Sequence, residues 1–410
     1  MTINIGIVGC GRILAAHLQG YRILREQGFD GFRITALCSR NRLDAESYIQ
    51  RGEGPPQRNP VSQVAGDPLA VGDQYLSDFQ DDVHPVVFTD YEEMIRWDGV
   101  DAVNDWTSHE LHHRVAATAF RHGKHLLTQK PLAVTVAAAR QMCLQAEQAG
   151  ATLAVFENAR NKPVTRQLSW LFESGRIGRL KQIQLTNIGN WWAPDLVVAE
   201  TPWRHQAEHA GGIALDIGVH LFNQFAFLAG DIRSVWGQAS VQEPQRRIGD
   251  RWFDCDADDT IICGFESEQQ VQGAIHLSWS GHGESTMSGN GRGLCFYAER
   301  GSVIGDDVRF DDGTTASLGD LYRSHAGDRK ELDFPRGIEN PFALNQLDWL
   351  EAIEQGRAPE TSGKVGLRDL AAATAILESS HSGRRVLVDD VAEGRVRDWQ
   401  RPLDRKHGLL

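Results

Sequence analysis

The first 155 residues alternate short apolar runs with stretches whose apolar residues recur at helical spacing. The short apolar runs predict strands at 3–8, 32–37, 101–103, 125–127 and 152–156. Helical spacing of apolar residues predicts helices over 13–24, 111–121 and 134–149. Strands that alternate with helices form parallel sheets. The pattern therefore predicts an N-terminal α/β domain with a doubly wound parallel sheet.

From about residue 180 the pattern changes to successive strand-like runs with few helices between them. These runs lie at 180–188, 232–241, 259–265, 271–279 and 294–298, and closing helices are expected over 345–354 and 367–380. Strands that follow one another through short turns pair antiparallel. We therefore expect two domains, residues 1–155 and 156–410. The second is expected to be an α+β domain with a large, mostly antiparallel open sheet.

One segment of the first domain breaks the alternation. Residues 51–85 contain Gly-Glu-Gly-Pro-Pro, Asn-Pro, Asp-Pro and His-Pro and show no sustained periodicity. We predict a long loop insertion there. Loops of this length are usually functional or mobile, and the sequence leaves both open.

Length, charge and cysteine content narrow the class of protein. A chain of 410 residues fits two domains, and its net charge of −13 argues against nucleic acid as a partner. No apolar run approaches the ~20 residues that span a bilayer, and residues 1–8 do not resemble a signal peptide. The six cysteines are scattered, with no Cys-x-x-Cys pair. These features predict a cytoplasmic protein with reduced thiols, no membrane contact and no metal.

The first predicted strand leads directly into Gly9-Cys10-Gly11, and a helix follows. Glycines at this position permit a tight turn and close approach of backbone N–H groups to a pyrophosphate. A third glycine is expected at position 14, where this chain has Leu14. Glycine turns occur in many strand–helix units. The position of this one, after the first strand of a strand–helix–strand pattern, favours a dinucleotide-binding Rossmann domain.

The end of the second predicted strand bears on which dinucleotide binds. NAD enzymes usually place an Asp or Glu here for the ribose hydroxyls, whereas this chain has Ser39, Arg40 and Arg42. Arginine is the preferred bidentate partner of phosphate, so we expect NADP to be favoured over NAD. The alternative is that both arginines only face solvent at the start of a helix.

Motifs along the whole chain resemble those of the Gfo/Idh/MocA oxidoreductases, the family of glucose–fructose oxidoreductase and inositol dehydrogenase. Residues 107–112, TSHELH, resemble the family's TPNxxH, and Gln129-Lys130-Pro131 stands in place of its EKP. Residues 211–220, GGIALDIGVH, match its GG-x-x-x-D-x-G-x-H. The resemblance also includes GIVGCGR at the N-terminus, Gly123-Lys124-His125, Gly301-Ser302-Val303 and Gly383-Arg384-Arg385-Val386. It implies hydride exchange between NAD(P) and a secondary alcohol or its ketone, commonly on a sugar or cyclitol.

The resemblance places the family's lysine on Lys130 and its acid–base pair on Asp216 and His220. An imidazole can accept the hydroxyl proton as hydride leaves, and Lys130 can donate to the substrate oxygen. Asp216 can orient the imidazole or bind a neighbouring hydroxyl. Because Asp216 and His220 are four residues apart, they would face the same way on one helix. The alternative is an exposed helical pair with no part in the reaction.

The resemblance also implies which residues surround the cofactor and the substrate. The residues expected to bind the cofactor are Gly9, Gly11, Arg12, Ile13, Ser39, Arg40, Thr107, His109, His112, Gln129 and Lys130. Those expected to bind the substrate are Asn158, Arg160, Arg204, Asp216 and His220. Gln129 replaces the glutamate of the family motif and removes a negative charge beside Lys130. The sequence therefore leaves open whether Lys130 or His220 accepts the proton. The resemblance also implies a cis peptide bond between Lys130 and Pro131.

Two further sets of side chains have both a structural and a functional interpretation. His205 and His209 have a spacing that can ligate zinc, but no third ligand is evident. The aromatic rings that can stack on a sugar or pack in a core belong to Trp191, Trp192, Trp252 and Trp279.

Three functions fit the sequence. The first is an NADP-preferring dehydrogenase of a sugar, cyclitol or related polyol. The second is a glycosidase that oxidises its substrate transiently with tightly held NAD, and the third is a catalytically silent regulator that binds NAD(P). Such regulators tend to lose the lysine or the histidine, whereas Lys130 and His220 are both present. The expected partners are a small carbohydrate or polyol and further copies of this chain, as a homo-oligomer through the C-terminal sheet.

Overall fold

The computed structural model describes residues 2–60, 62–63, 67–189, 194–282 and 293–410. The chain divides into two compact units. The first comprises Met1–Val134, Ala138–Asn161 and Phe334–Gly366, and the second comprises Thr135–Ala137, Lys162–Asp333 and Leu367–Leu410. The division differs from the one expected at residue 155, because the late segment Phe334–Gly366 groups with the first unit.

Within the described residues, the first unit is built on a six-stranded parallel sheet. Its strands are β1 (Ile3–Val8), β2 (Phe32–Cys38), β3 (Val86–Phe88), β4 (Ala102–Asp105), β5 (His125–Gln129) and β6 (Leu153–Phe156). Their order is β3-β2-β1-β4-β5-β6, and every neighbouring pair is parallel. β4 is wholly buried, as expected of a strand covered on both faces. The doubly wound Rossmann sheet predicted from the sequence is confirmed.

The second unit holds a nine-stranded sheet and a separate hairpin in the part of the chain that the structure describes. The strands are β7 (Leu180–Ile188), β8 (Ile232–Ser240), β9 (Gln245–Ile248), β10 (Arg251–Asp254), β11 (Thr260–Ser267), β12 (Gln272–Ser278), β13 (Leu294–Ala298), β14 (Gly301–Ile304), β15 (Asp307–Phe310), β16 (Thr315–Ser317) and β17 (Val386–Leu387). β9 and β10 form the hairpin, and the large sheet has the order β16-β15-β14-β13-β7-β12-β11-β8-β17. Its β12–β7 pair is parallel and its other pairs are antiparallel. The predicted large, mostly antiparallel sheet is confirmed.

The helices are placed along the whole chain. They are α1 (Leu14–Glu26), α2 (Arg42–Glu46), α3 (Tyr91–Arg96), α4 (His109–Arg121), α5 (Val136–Ala149), α6 (Pro163–Glu173), α7 (Ile213–Asp216), α8 (Gly218–Ala229), α9 (Leu318–His325), α10 (Arg329–Asp333), α11 (Pro341–Gln355), α12 (Gly363–Ser382), α13 (Val388–Ala392) and α14 (Arg401–Lys406). α11 packs closely against α1. A Cβ on Gly20 of α1 would lie 2.3 Å from Oε1 of Gln346 on α11. The Gln346 amide also donates to the His17 carbonyl at 3.0 Å. This close packing of α11 on α1 is the reason why a late segment joins the first unit.

The insertion at residues 51–85 is fastened to the chain just after α2. The Leu76 N–H donates to the Tyr48 carbonyl at 2.8 Å. The Gln57 amide donates to the carbonyls of Ser47 (3.0 Å) and Gln74 (2.7 Å). These bonds hold two parts of the insertion, at Gln57 and at Leu76, against the same stretch of the first unit.

Among the described residues, no single helix has the length and apolar character needed to cross a membrane, although the bent pair Ala207–Asp216 and Gly218–Ala229 passes that test when taken together. The six cysteines are free thiols in the structure.

Candidate active site

The turn after β1 brings the backbone close to a neighbouring strand. Gly9 has a φ of +98°, which glycine adopts without steric cost. A Cβ there would lie 2.7 Å from the backbone of Trp106, so a larger residue at position 9 is excluded. At Gly11, by contrast, an added Cβ would meet no described atom within 4 Å. The turn is therefore tight at Gly9 and open at Gly11.

α1 starts directly after this turn with its positive end uncovered. Ile13 provides no side-chain cap, and the first turn of α1 contains no acidic residue. No side chain of α1 therefore competes with an anion for the helix start. This arrangement fits the pyrophosphate of a dinucleotide. Gly9, Gly11, Arg12 and Ile13 are the residues that would hold it.

The segment after β2 presents one arginine to solvent. Arg40 is exposed and makes no hydrogen bond or ion pair with the residues described. Arg42 instead pairs with Glu46 (2.7 Å) and reaches the Val87 carbonyl (3.3 Å). Ser39 is half-buried beside it. Of the two arginines expected near a 2′-phosphate, Arg40 is available and Arg42 is engaged.

A buried carboxylate organises the loop after β4. Asp105 accepts hydrogen bonds from the Thr107 hydroxyl (2.6 Å) and N–H (3.0 Å), and from the Thr128 hydroxyl (3.1 Å). His112 is fully buried, with Nδ1 3.0 Å from the Pro131 carbonyl and Nε2 3.4 Å from the Thr107 carbonyl. The loop after β4 and the segment after β5 are therefore tied to each other.

His109, also expected at the cofactor, is the first residue of α4 and is buried. Roles of His109, His112 and Thr107 in binding the cofactor stay predictions.

Gln129 ends β5 and fixes the backbone of Lys130. Its Oε1 accepts the Lys130 N–H at 2.9 Å, and its Nε2 lies 3.2 Å from Nε2 of His17. The His17 ring is fully buried and stacks on Trp106, with 3.6 Å between centroids and an angle of 9°. Burial holds the pKa of His17 well below its usual 6.5, so the imidazole is neutral. The Lys130–Pro131 peptide bond is cis, which confirms the prediction.

The contact with His17 gives a physical reason for an amide where the family motif has glutamate. A neutral imidazole accepts a hydrogen bond at one ring nitrogen, and the Gln129 Nε2 supplies the donor. A carboxylate at this position has no hydrogen to donate. His17 would then have to donate from Nε2, either as the Nε2–H tautomer or as a protonated ring, beside a buried negative charge.

Residues 157–160 form a turn after β6. The buried Glu157 accepts the Ala159 N–H at 2.9 Å. Arg160 is 8% exposed and donates to the Glu360 carbonyl at 3.0 Å, whereas Asn158 is half-buried. The Arg160 guanidinium thus already holds the backbone. Asn158 is the more accessible of these two residues expected to bind substrate.

In the second unit, two glycines bring the chain against Arg204. A Cβ on Gly211 would lie 2.6 Å from the carbonyl oxygens of Trp203 and Arg204. A Cβ on Gly212, whose φ is +113°, would lie 2.0 Å from Oδ1 of Asp258. Gly212 also donates its N–H to the Arg204 carbonyl at 2.8 Å. The Gly-Gly of the motif is therefore required by packing on both sides.

Arg204, expected to bind substrate, forms an ion pair with Asp216. Its Nε donates to the Thr201 hydroxyl at 2.8 Å, and its guanidinium lies over the Trp203 ring at 4.6 Å from the centroid. The side chains of Arg204 and Asp216 are only 21% and 13% exposed. An arginine held by a hydroxyl and an aromatic ring thus fixes the orientation of the Asp216 carboxylate.

Asp216 and His220 lie on either side of a break between two helices. α7 ends at Asp216 and α8 begins at Gly218, with a bend of 41° between Ala207–Asp216 and Gly218–Ala229. The single helix assumed for this pair is therefore wrong. The break lies at Ile217, whose φ of −107° departs from the helical value.

Asp258 holds the start of α7. Its Oδ2 accepts the Ala214 N–H at 2.9 Å and its backbone carbonyl accepts the Ile213 N–H at 2.8 Å. Burial raises the pKa of Asp258 to about 7. The sequence motif did not reveal this residue, because Asp258 lies 44 residues beyond Ala214 and no local pattern links them.

His205 is buried and contacts Val198 and Trp279. Its Nε2 accepts the Val198 N–H at 3.0 Å, and its ring meets Trp279 edge-on at 5.6 Å. Burial, together with the charges of Arg246 and Arg204, lowers the pKa of His205 to about 3. Within the described ranges, no three His, Cys, Asp or Glu side chains are grouped to hold a metal ion.

The four tryptophans do not share one environment. Trp279 is buried, whereas Trp252 on β10 is 54% exposed. Trp191 and Trp192 lie outside the described residues. Trp279 therefore packs in the core, whereas Trp252 does not, and sugar stacking stays a prediction for Trp252.

The predicted site residues fall into both units. The first unit contains the cofactor residues with Lys130, Asn158 and Arg160, and the second contains Arg204, Asp216 and His220. Within the second unit the structure brings Arg204 and Asp216 into contact.

Two family models match successive parts of the chain. Residues 3–157 match the oxidoreductase family with an NAD-binding Rossmann fold. Residues 165–304 match the GFO/IDH/MocA C-terminal domain.

Named relatives and solved structures are also similar. The 1,5-anhydro-D-fructose reductase of Ensifer adhaerens is 26% identical over 302 residues, covering 73% of this chain and 84% of the relative. The NADP+-dependent D-xylose 1-dehydrogenase of Haloarcula marismortui is 26% identical over 318 residues, covering 75% and 79%. The crystal structure of an NAD-binding oxidoreductase from Klebsiella pneumoniae superposes with a TM-score of 0.73 at 21% identity, covering 95% of this chain and 99% of that one. This last likeness shows the fold.

Proposed function

Because this chain belongs to the Gfo/Idh/MocA oxidoreductase family, we propose that it is an NAD(P)-dependent dehydrogenase of a sugar, cyclitol or related polyol. The reaction moves a hydride between the nicotinamide and a secondary alcohol or its ketone. The observation that carries the proposal is the carboxylate of Asp216, which Arg204 holds in a fixed orientation at the start of the motif that ends in His220. The named reductase and dehydrogenase relatives support a carbohydrate substrate.

We propose that NADP is favoured over NAD. Arg40 is exposed at the end of β2 and free of ion pairs to described residues, so it is available to a 2′-phosphate. The NADP+-dependent relative supports this preference. The proposed cofactor residues are those given above, from Gly9 to Lys130.

The proposed chemistry divides between Lys130 and the Asp216–His220 pair. The bound nicotinamide supplies the hydride exchange. Lys130 donates a hydrogen bond to the reacting oxygen and stabilises the charge that develops there. We propose His220 as a group that can take up the hydroxyl proton, with Asp216 orienting its imidazole. Whether Lys130 or His220 is the final proton acceptor is a question for the kinetics of the two variants.

Three residues are proposed to contact the substrate besides the acid–base pair. Asn158 offers a half-buried amide, and Arg160 and Arg204 offer guanidiniums that already hold the Glu360 carbonyl and Asp216. We therefore assign Arg204 two tasks, which are binding substrate and holding Asp216.

A homo-oligomer through the C-terminal sheet also stays a proposal. Strand register places Trp236, Ile262 and Tyr297 on the same face of the large sheet. They are 39%, 57% and 38% exposed. Large apolar side chains on one sheet face favour a protein partner. Light scattering after size exclusion would measure the assembly. A cytoplasmic location likewise stays a prediction.

The direct test is a screen of sugars and cyclitols with NAD+ and NADP+, followed by the absorbance of the reduced nicotinamide. A substrate-dependent rise confirms a dehydrogenase. Release of a free sugar with no net change in absorbance, by protein that purifies with bound cofactor, would support the glycosidase alternative instead. Saturable cofactor binding with neither reaction would support the regulator.

A further inference from the structure

An arginine from the insertion forms an ion pair with α2, the helix that follows β2. Arg58 pairs with Asp44 of α2, with 2.5 Å between Nη2 and Oδ2. Tyr48, which follows α2, donates its hydroxyl to the Gly11 carbonyl at 3.0 Å. Asp44 lies on α2, four residues after Arg40, the arginine proposed to meet the 2′-phosphate. The ion pair therefore lies in the segment that follows β2 and is proposed to receive that phosphate.

The insertion delivers Arg58 to this position through its neighbour. The Gln57 amide bonds to the carbonyls of Ser47 and Gln74 at 3.0 and 2.7 Å, which fixes the chain beside α2. The Arg58 side chain remains 55% exposed, whereas Asp44 is 19% exposed. Arg58 thus covers a carboxylate that lies four residues after Arg40.

The charges of this region decide what the ion pair does. Asp44 and Glu46 are the carboxylates of α2, and Arg40, Arg42 and Arg58 are the arginines around them. Among residues 40–46 together with Arg58, three arginines stand against two carboxylates, and loss of Arg58 removes one positive charge from this set. An uncovered carboxylate at Asp44 would repel a phosphate and favour a ribose hydroxyl.

We propose that Arg58, carried by the insertion, determines specificity for NADP by neutralising Asp44 in the segment that follows β2. The proposal rests on the proposed function, because it assumes that a dinucleotide binds at Gly9–Gly11. Arg58 acts through Asp44 and is a specificity-determining residue, with no part in the reaction itself. The insertion thereby has a function in cofactor selection.

The test is calorimetric titration of NADP+ and NAD+ into Arg58→Gln, Asp44→Asn and the double variant at low salt. One charge acting on a doubly charged phosphate through about 8 Å of water changes a dissociation constant about fivefold. We expect Arg58→Gln to weaken NADP+ by about that factor and to leave NAD+ within twofold. Asp44→Asn should tighten NADP+ by a similar factor. The double variant should return to the wild-type value, because its net charge is restored.

Arg51→Gln is the matched control, since Arg51 lies in the same insertion and pairs with Asp78 at 2.8 Å. It should change neither affinity. An unchanged ratio of the two dissociation constants in Arg58→Gln would overturn the proposal. So would a double variant that stays as weak as Arg58→Gln, which would mean that Arg58 contacts the phosphate directly. Failure of the wild type to bind either dinucleotide would instead overturn the proposed function, and a wild-type preference for NAD+ would overturn only the NADP assignment.

Discussion

Replacing Gln129 with glutamate should change how the stability of the first unit depends on pH. In the wild type, burial holds the pKa of His17 well below 6.5. The unfolded chain therefore binds a proton on His17 below about pH 6.5, while the folded protein does not. Because the unfolded state then binds more protons, the stability is fully present above pH 6.5. It is lost progressively as the pH falls toward the folded pKa.

The size of the effect follows from the 3.2 Å between Gln129 Nε2 and His17 Nε2. In the wild type, the free energy of unfolding falls by about 2 kcal/mol because of His17 when the pH is lowered from 7 to 5, at ~1.4 kcal/mol per pH unit. Opposite charges at that separation attract by about 5 kcal/mol at an effective dielectric constant near 20. A carboxylate at position 129 should therefore raise the pKa of His17 by several units. The loss of stability at low pH that His17 causes should then disappear.

The assay is urea unfolding at pH 7 and pH 5, with Gln148→Glu as the control. Gln148 is exposed on α5, so the same chemical change there touches no buried histidine. His205, whose pKa is lowered to about 3, reduces the stability in acid equally in every variant. Its contribution therefore cancels when the variants are compared. We expect the wild type and the control to lose about 2 kcal/mol more than Gln129→Glu between the two pH values. Equal losses in the three proteins would refute the neutral His17–Gln129 pair.

Three other predictions follow from the site. Lys130→Met and His220→Ala should each lower turnover by about 10²–10⁴-fold with little change in cofactor affinity, which Gly9, Gly11 and residues 39–42 are expected to dominate, and the double variant should be barely worse than the poorer single. Steady-state kinetics that show near wild-type turnover would remove the residue concerned from the acid–base assignment. Arg40→Ala should weaken NADP+ far more than NAD+ in a fluorescence titration, and equal weakening would contradict phosphate binding. Gly211→Ala should destabilise by about 1–3 kcal/mol, because its Cβ would lie 2.6 Å from two carbonyl oxygens. Gly72→Ala, with open space, is its control in thermal unfolding.

The fold was largely predictable because hydrophobic periodicity is a local property. The five strands expected in the N-terminal half correspond to β1, β2, β4, β5 and β6, since buried parallel strands are continuous apolar runs. β3 was not predicted, because its apolar run is only three residues long, begins directly after the insertion and has Val86 exposed. The grouping of Phe334–Gly366 with the first unit depends on α11 packing against Gly20, which no local pattern reports.

The candidate site was predictable where close backbone contacts require a particular residue type in a motif. Gly9 and Gly211 must be glycine because backbone lies within 2.7 Å of the missing Cβ, so the sequence itself signals them. His17 and Asp258 are single polar residues whose partners are distant in sequence. Their roles exist only after the chain has folded, and periodicity or spacing does not indicate them.

Arg204 illustrates how a tertiary contact changes the meaning of a predicted residue. Because Arg204 is proposed both to hold Asp216 and to bind substrate, Arg204→Gln should lower kcat by about the same factor as Asp216→Asn and also raise KM. The double variant should then be no worse than the poorer single, since both changes remove one ion pair. If Arg204 instead only binds substrate, its variant should raise KM with kcat unchanged, and the effects of the two single variants on kcat/KM should multiply. Steady-state kinetics of the three variants on the identified substrate decide between these outcomes. Multiplying effects would return Arg204 to the role of a substrate ligand alone.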